Sequence, residues 1–361
     1  MHLNPQHLAL QAGLLIAGLS LGVCVDSAAA QVGVSRDGQQ AQVRSGSRTP
    51  VWPWELTMGH IRNAMVASDY ELEQTRRVLD RADPRRLPTW IKVRERVRHA
   101  AETATHEERY ELNMLGLENR SLSQFELQLR RARFASHAEF LFRYQSFRIS
   151  DSVRAGENYA ITFLGVSSRV EQPVYQIAVT SRVGARSAWY LEIETTTCYP
   201  LYRAEYDTLG HLVGEVEVTK YNPLFDGSSV VARPPSQGEK FFNTPIDAVA
   251  SLNLPTKGVP GPGALPPGYA PHSAKVATDP LSGEKKAVLV YSDGIDQIFV
   301  TVAADPGSFR PVGHTVAVHR DAVGVTQCMF VHAGVQYVVV GRGSDKPVRH
   351  VSHVLYSQAV R

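Results

Sequence analysis

Thirteen histidines are the residues of this 361-residue chain most able to hold a metal, and their spacing argues against it. No His-Glu-x-x-His helix signature occurs, and the pairs Glu95/His99 and Glu102/His106 offer two ligands each, where zinc needs three or four protein donors. His314 and His319 stand five residues apart in a β-prone run, so they point to opposite faces of a strand. Serine chemistry needs a nucleophile on a sharp strand-to-helix turn, and Gly165-Val-Ser-Ser168 lacks both the second glycine and a helix after it. Neither a glycine-rich loop ending in Lys-Ser/Thr nor a spaced-glycine fingerprint is present to cradle phosphate. The expectation is therefore no cofactor, no metal and no catalytic residue, with binding as the activity. A net charge of only +3 gives no reason to expect a nucleic-acid partner.

One spacing does suggest a binding surface. Ile91, Val93 and Val97 alternate with Lys92, Arg94, Arg96 and Arg98, which reads as a half-buried strand. Its outer face then carries cations about 7 Å apart. Such a row can hold anionic headgroups or an acidic partner, or can simply be a solvated face.

The elements that must position these residues fall into two groups. Residues 31–52 are rich in Gln, Arg, Ser and Gly and read as a flexible lead-in. Ile61, Met65, Leu72 and Leu79 recur near helical spacing until Asp83-Pro84, predicting an amphipathic helix with Glu71, Glu73 and Arg76 off its apolar stripe. Tyr110, Leu112 and Met114 suggest a second strand, and the capping pairs at Ser121 and Ser123 a second helix, within an Arg-rich stretch reaching Phe147. From Tyr159 the pattern is nearly all strand: Tyr159–Leu164, Val174–Val179, Trp189–Glu194, Leu201–Tyr206 and Leu212–Val218, separated by turn residues. Runs this close with no helix between them predict an antiparallel meander. Pro and Gly accumulate over 236–264, which reads as a linker between a domain at 53–235 and one at 265–361. The second domain shows five strand candidates and a closing helix at Val348–Leu355. The fold class expected is α+β, mainly antiparallel β.

The apolar run Leu8–Val25, followed by Ala28-Ala-Ala30, predicts a signal peptide over residues 1–30, cleaved after Ala30 into a periplasmic protein. Lipidation at Cys24 and an uncleaved anchor are the alternatives. After Ala30 only Cys198 and Cys328 remain, either two buried free thiols or an inter-domain bridge.

Two stretches carry a family resemblance. Trp189-Tyr-Leu-Glu-Ile-Glu-Thr-Thr-Thr-Cys-Tyr-Pro-Leu201, with Tyr206-Asp-Thr-Leu-Gly-His-Leu-Val213 and Glu217-Val-Thr219, resembles the meander of MucB/RseB regulators, a group that also includes the lipoprotein carrier LolA. Cys198 stands where those proteins usually have a turn glycine. Leu265-Pro-Pro-Gly-Tyr269 and Tyr291-Ser-Asp-Gly-Ile295, with Ile298-Phe-Val300 and Val338-Val-Val-Gly341, resemble the MucB/RseB C-terminal domain. The resemblance implies a LolA-like curved sheet or half-barrel around helices, followed by a small β-rich domain. It implies a regulator that binds the extracytoplasmic part of an anti-sigma factor and senses a lipid-type ligand. A carrier of lipid or of a lipoprotein acyl chain is the alternative. On that implication the ligand wall comprises Tyr159, Ile161, Phe163, Tyr175, Ile177, Trp189, Leu191 and Ile193. Tyr291 and Asp293 would then serve partner binding or the docking of the two domains, with Asp293 also able to cap its own turn.

Overall fold

The computed structural model describes residues 50–80, 89–101, 113–118, 123–124, 128, 147–184, 186–230, 239–278, 283–305, 307, 317–320, 325–342 and 345–360. The signal-peptide region, most of the lead-in, the Asp83-Pro84 stop, Tyr110 and Leu112, and nearly all of the helix expected from Ser121 lie outside these residues.

Helix α1 (Met58–Val66) starts at a reciprocal cap: Thr57 Oγ1 accepts the His60 N–H and His60 Nδ1 accepts the Thr57 N–H, both at 3.3 Å. Its stripe of Met58, Ile61, Ala64 and Met65 is buried. The helix then stops, and the chain enters β1 (Tyr70–Asp80) where the spacing predicts helix. Tyr70, Leu72, Gln74 and Arg76 are all buried on one face of β1, so of the expected helical stripe only Leu72 faces the core here and Leu79 falls on the opposite face. Pairing decides between the two patterns, because β1 is hydrogen-bonded on both sides, to β2 (Thr89–His99) and to β8 (Leu212–Asn222).

The first sheet has eight strands in the order β3-β2-β1-β8-β7-β6-β5-β4, every described pairing antiparallel. Here β3 is Asn113–Glu118, β4 Tyr159–Arg169, β5 Gln172–Ser181, β6 Ala188–Glu194 and β7 Pro200–Tyr206. The run from β4 to β8 is the expected meander. A short helix α2 (Ser152–Asn158), capped by Asp151 Oδ1 on the Arg154 N–H at 3.0 Å, leads directly into β4.

The second sheet has seven strands in the order β13-β14-β15-β12-β11-β10-β9. They span β9 (Lys240–Phe242), β10 (Ala270–Thr278), β11 (Lys285–Ser292), β12 (Gln297–Ala304), β13 (Ala317–Arg320), β14 (Val325–His332) and β15 (Val335–Arg342). Between β9 and β10 lies α3 (Pro245–Ala250), and α4 (Asp345–Val360) closes the unit, burying Val348, Val351 and Leu355 in its core. Within the stretch expected as linker, β9 pairs with β10, and Ala248 and Val249 of α3 enter the second core. Proline there serves a different end: Pro245 sits in the first turn of α3, where no backbone N–H is needed, behind a Thr244 cap on Asp247 N–H. The chain is thus α+β and mainly antiparallel β, with each sheet open at its edges.

Candidate functional site

The strand registers put the expected wall residues on one face. Ile161 pairs with Val179 and Phe163 with Ile177; Ile177 pairs with Leu191, Tyr175 with Ile193 and Val179 with Trp189. Ile177, Trp189, Leu191 and Ile193 are buried together with α1, Phe147 and Ile149 in one apolar core, and Tyr175 joins its rim. Phe147 meets Trp189 edge-on, ring centroids 5.3 Å apart. Ile161 is half-buried, and Phe163, 46 % exposed, touches Tyr175 edge-on at 5.9 Å. The open part of this wall is therefore β4, the strand at the sheet edge, where Leu164 and Val166 are exposed as well.

The same face turns polar toward β1 and β2. Arg76 Nε and Nη2 donate to the Glu95 carboxylate at 2.7 and 3.1 Å, Gln74 Nε2 donates to the same carboxylate, and Arg203 Nη2 donates to Gln74 Oε1 at 2.7 Å. Arg76 and Glu95 are fully buried, so their pairing satisfies charges that would otherwise be costly in a core. Glu95 is thus an ion-pair partner, and His99 turns its Nδ1 to the Ser68 carbonyl at 2.8 Å. Among the described residues no three His, Cys, Asp or Glu side chains converge on one point.

Tyr159, the first residue of β4, does something else. Its hydroxyl donates to Asp293 Oδ2 at 2.8 Å, across the boundary between the two sheets. Arg186, in the β5–β6 connection, donates to the same Oδ2 and to the Pro267 carbonyl. Asn158 Nδ2 donates to the carbonyls of Asp293 at 2.8 Å and Gly268 at 3.1 Å. Ser150 N–H donates to the Gly294 carbonyl at 2.9 Å, and the Ser150 and Ser292 hydroxyls are 2.7 Å apart. The other oxygen of Asp293 caps its own turn, accepting the N–H groups of Ile295 and Asp296 at 3.0 and 2.8 Å. Ile295 completes the joint by entering the apolar core of the first unit.

Two glycines make this approach possible. Gly294 has φ 105°, and a Cβ there would lie 2.3 Å from the backbone nitrogen of Ala155 in α2. Gly268 has φ 82°, and a Cβ there would lie 2.5 Å from Asn158 Oδ1. Electrostatically the joint is a buried carboxylate among donors. Burial, and then the neighbouring Asp296, push the Asp293 carboxyl up to about 6, opposed by Arg186, the Ile295 N–H and the Tyr159 hydroxyl. Burial also pushes the Tyr159 hydroxyl far above its ordinary value, reinforced by the charges of Asp296 and Asp293. Burial disfavours the Arg186 cation, but Asp293, Tyr159 and Tyr269 together more than offset this and raise its pKa above the ordinary value.

The two motifs quoted above, Leu265–Tyr269 and Tyr291–Ile295, thus meet at one surface against Asn158, Tyr159 and Arg186. The chain is similar to MucB. It overlaps a MucA/MucB complex from Pseudomonas aeruginosa over 82% of this chain and 95% of that one, at 13% identity and TM-score 0.44. A crystal structure of MucB matches over the same shares at 15% identity and TM-score 0.44. A LolA-superfamily protein of Nitrosomonas europaea overlaps 81% of this chain and 96% of its own at 9% identity and TM-score 0.18. No family model and no curated protein matches the sequence.

Of the residues singled out from sequence, the structure groups Ile161, Phe163, Tyr175, Ile177, Trp189, Leu191 and Ile193 on one face and places Tyr159 with Asp293 at the joint. Tyr291 is fully buried in the second core, its hydroxyl 3.5 Å from the Pro260 carbonyl. Asn158, Arg186 and Ser150 are joint residues that sequence reading missed. The one available signal was Asp151 as a helix cap, which marks α2 and so the residues just before Tyr159.

Proposed function

We propose that this chain is a non-enzymatic periplasmic regulator that binds the extracytoplasmic part of a transmembrane anti-sigma factor and responds to a lipid-type ligand on the β4 side of its first sheet. The observation that carries the reading is the double role of β4. Its first residue, Tyr159, holds Asp293 of the second domain, and Ile161 and Phe163 of the same strand form the open part of the apolar wall. An acyl chain lodged against Phe163 and Tyr175 would bury apolar surface now facing water and would press on the strand that holds the joint. Ligand occupancy and domain docking are then linked through one element. MucB has been solved bound to MucA, which supports a polypeptide partner for a chain of this architecture. Partner engagement would depend on Tyr291 and Asp293 through the docked arrangement, since both are buried.

The test is a pair of titrations on the full chain, with a fluorescent acyl phospholipid and with the extracytoplasmic segment of a single-span anti-sigma factor. Phe163→Asp keeps the core intact because the ring is 46 % exposed. It is expected to weaken lipid capture roughly tenfold, the worth of one partly buried aromatic, while partner binding persists and loses its sensitivity to lipid. Lipid binding with no effect on partner binding would favour a carrier, and no binding of either ligand would reject the reading.

A further inference from the structure

Four strands stand at the edges of the two sheets among the described residues, and three of them are guarded. β9 has three residues and begins at Lys240, β13 has four and ends at Arg320, and β3 has six and ends at Glu118. Short length and charge keep an edge from pairing with another chain. β4 has neither guard. It runs eleven residues, Tyr159–Arg169, with no proline and no charge before Arg169. It is bonded to β5 alone, so the backbone groups on its outer side have no strand to pair with. Phe163, Leu164 and Val166 on this edge are 46, 54 and 65 % exposed, and Thr162, Ser167 and Ser168 are exposed beside them.

The β4–β5 register fixes which way these residues face. Phe163 pairs with Ile177 and Val166 with Tyr175, both on the wall face, whereas Gly165 pairs with Gln176 on the outer face. The cause is a bulge at Leu164, where one extra residue shifts the alternation. The pattern of faces along β4 therefore matches itself when the strand is reversed about the point between Leu164 and Gly165. Laid antiparallel against a second β4 about that point, Phe163 comes opposite Val166, Thr162 opposite Ser167, Ile161 opposite Ser168 and Ala160 opposite Arg169. Every pair has both members on one face, as side chains meeting across strands require. The two Arg169 fall at opposite ends of the contact, and each is already turned to Glu192 and Glu217 on the outer face of its own sheet. At either end the exposed Glu171 of one copy comes level with Asn158 of the other, beside the exposed Glu157 and beside Arg182, whose N–H donates to the Asn158 carbonyl at 2.7 Å. Both signs of charge are present there.

We propose that two copies of this chain join their first sheets edge to edge, β4 against antiparallel β4, about a two-fold axis between Leu164 and Gly165. The two apolar walls then lie on the same side of one continuous sheet, and Val166 of each copy covers Phe163 of the other. A second copy is favoured over a different polypeptide because the match is contained in the strand itself: uncharged along its length, apolar at its centre and the same in facing when reversed. The contact needs neither lipid nor anti-sigma factor and stands apart from the regulator reading.

The experiment is sedimentation equilibrium of the chain from Gln31 onward, without lipid. Wild type is expected to dimerise below ~100 μM, a modest affinity because two strands make a small interface. Val166→Glu is expected to keep its melting temperature, because the side chain is 65 % exposed, and to weaken dimerisation at least roughly tenfold. Register is read by cross-linking with a short bis-maleimide, since Cys198 and Cys328 are both buried. Phe163→Cys mixed with Val166→Cys is expected to give a linked dimer, and either variant by itself to give little. Val166→Glu dimerising as tightly as wild type, or a mixture that links no better than its components, would overturn the proposal. So would a wild type that stays monomeric at that concentration, which would leave the edge to a strand from a different polypeptide.

Discussion

Cys198 has φ 62°, the left-handed region that a turn glycine adopts freely and a side chain adopts at a cost of about 1 kcal/mol. The turn is built to tolerate it: Cys198 N–H donates to the Glu194 carbonyl at 2.9 Å, and the Glu194 carboxylate accepts the N–H groups of Thr196 and Thr197 at 2.9 and 2.6 Å. Its thiol is buried in the first core while Cys328 is buried in the second, and neither is in a disulfide, so no Cys198–Cys328 bridge joins the two sheets. Cys198→Gly trades relief of backbone strain against lost packing and is expected to change stability by less than about 1 kcal/mol. Cys198→Val puts a β-branched residue into the left-handed region and is expected to cost about 2 kcal/mol. Denaturant melts of the two variants check this, and equal destabilisation by both would show that packing alone matters at this turn.

At the scale of elements, the joint rests on the 265–269 stretch and on three short pieces of chain that reach Asp293: α2 with the start of β4, the β5–β6 connection, and the β11–β12 turn. They meet on the single carboxylate of Asp293, whose pKa rises from 3.8 to about 6. A raised pKa means that the folded chain holds this proton more tightly than the unfolded chain. The contribution to stability is therefore fully present below 3.8 and is lost as pH rises through about 6. Asp293→Asn is expected to flatten this dependence, so the melting temperatures of wild type and variant should diverge most across that interval. A constant difference from pH 4 to 7 would show that Asp293 is ionised throughout.

The whole molecule consists of two open sheets, each with its own core, tied at one end by polar contacts and by Ile295. Under the proposed function such a joint would open without unfolding either sheet, as a regulator driven by docking of its two parts needs. Gly294→Ala tests it, because the added Cβ would strike the backbone of α2 at 2.3 Å. The expected cost is about 2–4 kcal/mol, borne mostly by docking. Small-angle scattering should show a longer particle with unchanged circular dichroism, and partner binding should fall while lipid capture stays. Loss of the β signal together with the docked shape would mean that the two sheets fold as one cooperative unit.

The sequence by itself determined the strands of the meander and five of the seven in the second sheet, because alternation of two between turn residues leaves few other ways to bury Ile177, Leu191 or Val300; β9 and β10 it did not show. It also determined that the common catalytic and phosphate-binding motifs are missing, since those depend on local spacing. Residues 70–80 were not legible, because Leu72 and Leu79 share a helix face but fall on opposite faces of a strand, and only the partners β2 and β8 choose the strand. Nor was the polar half of the inner face: Arg76 and Glu95 look like surface charges until the register places them side by side, 2.7 Å apart. For Asp293 the sequence showed half of the role, the cap on its own turn, which is written in the adjacent Gly294. The other half depends on Tyr159, 134 residues away, and on Arg186, and contacts at that separation have no local signature. Only the tertiary structure could bring them together, because it alone decides which end of one sheet meets which turn of the other.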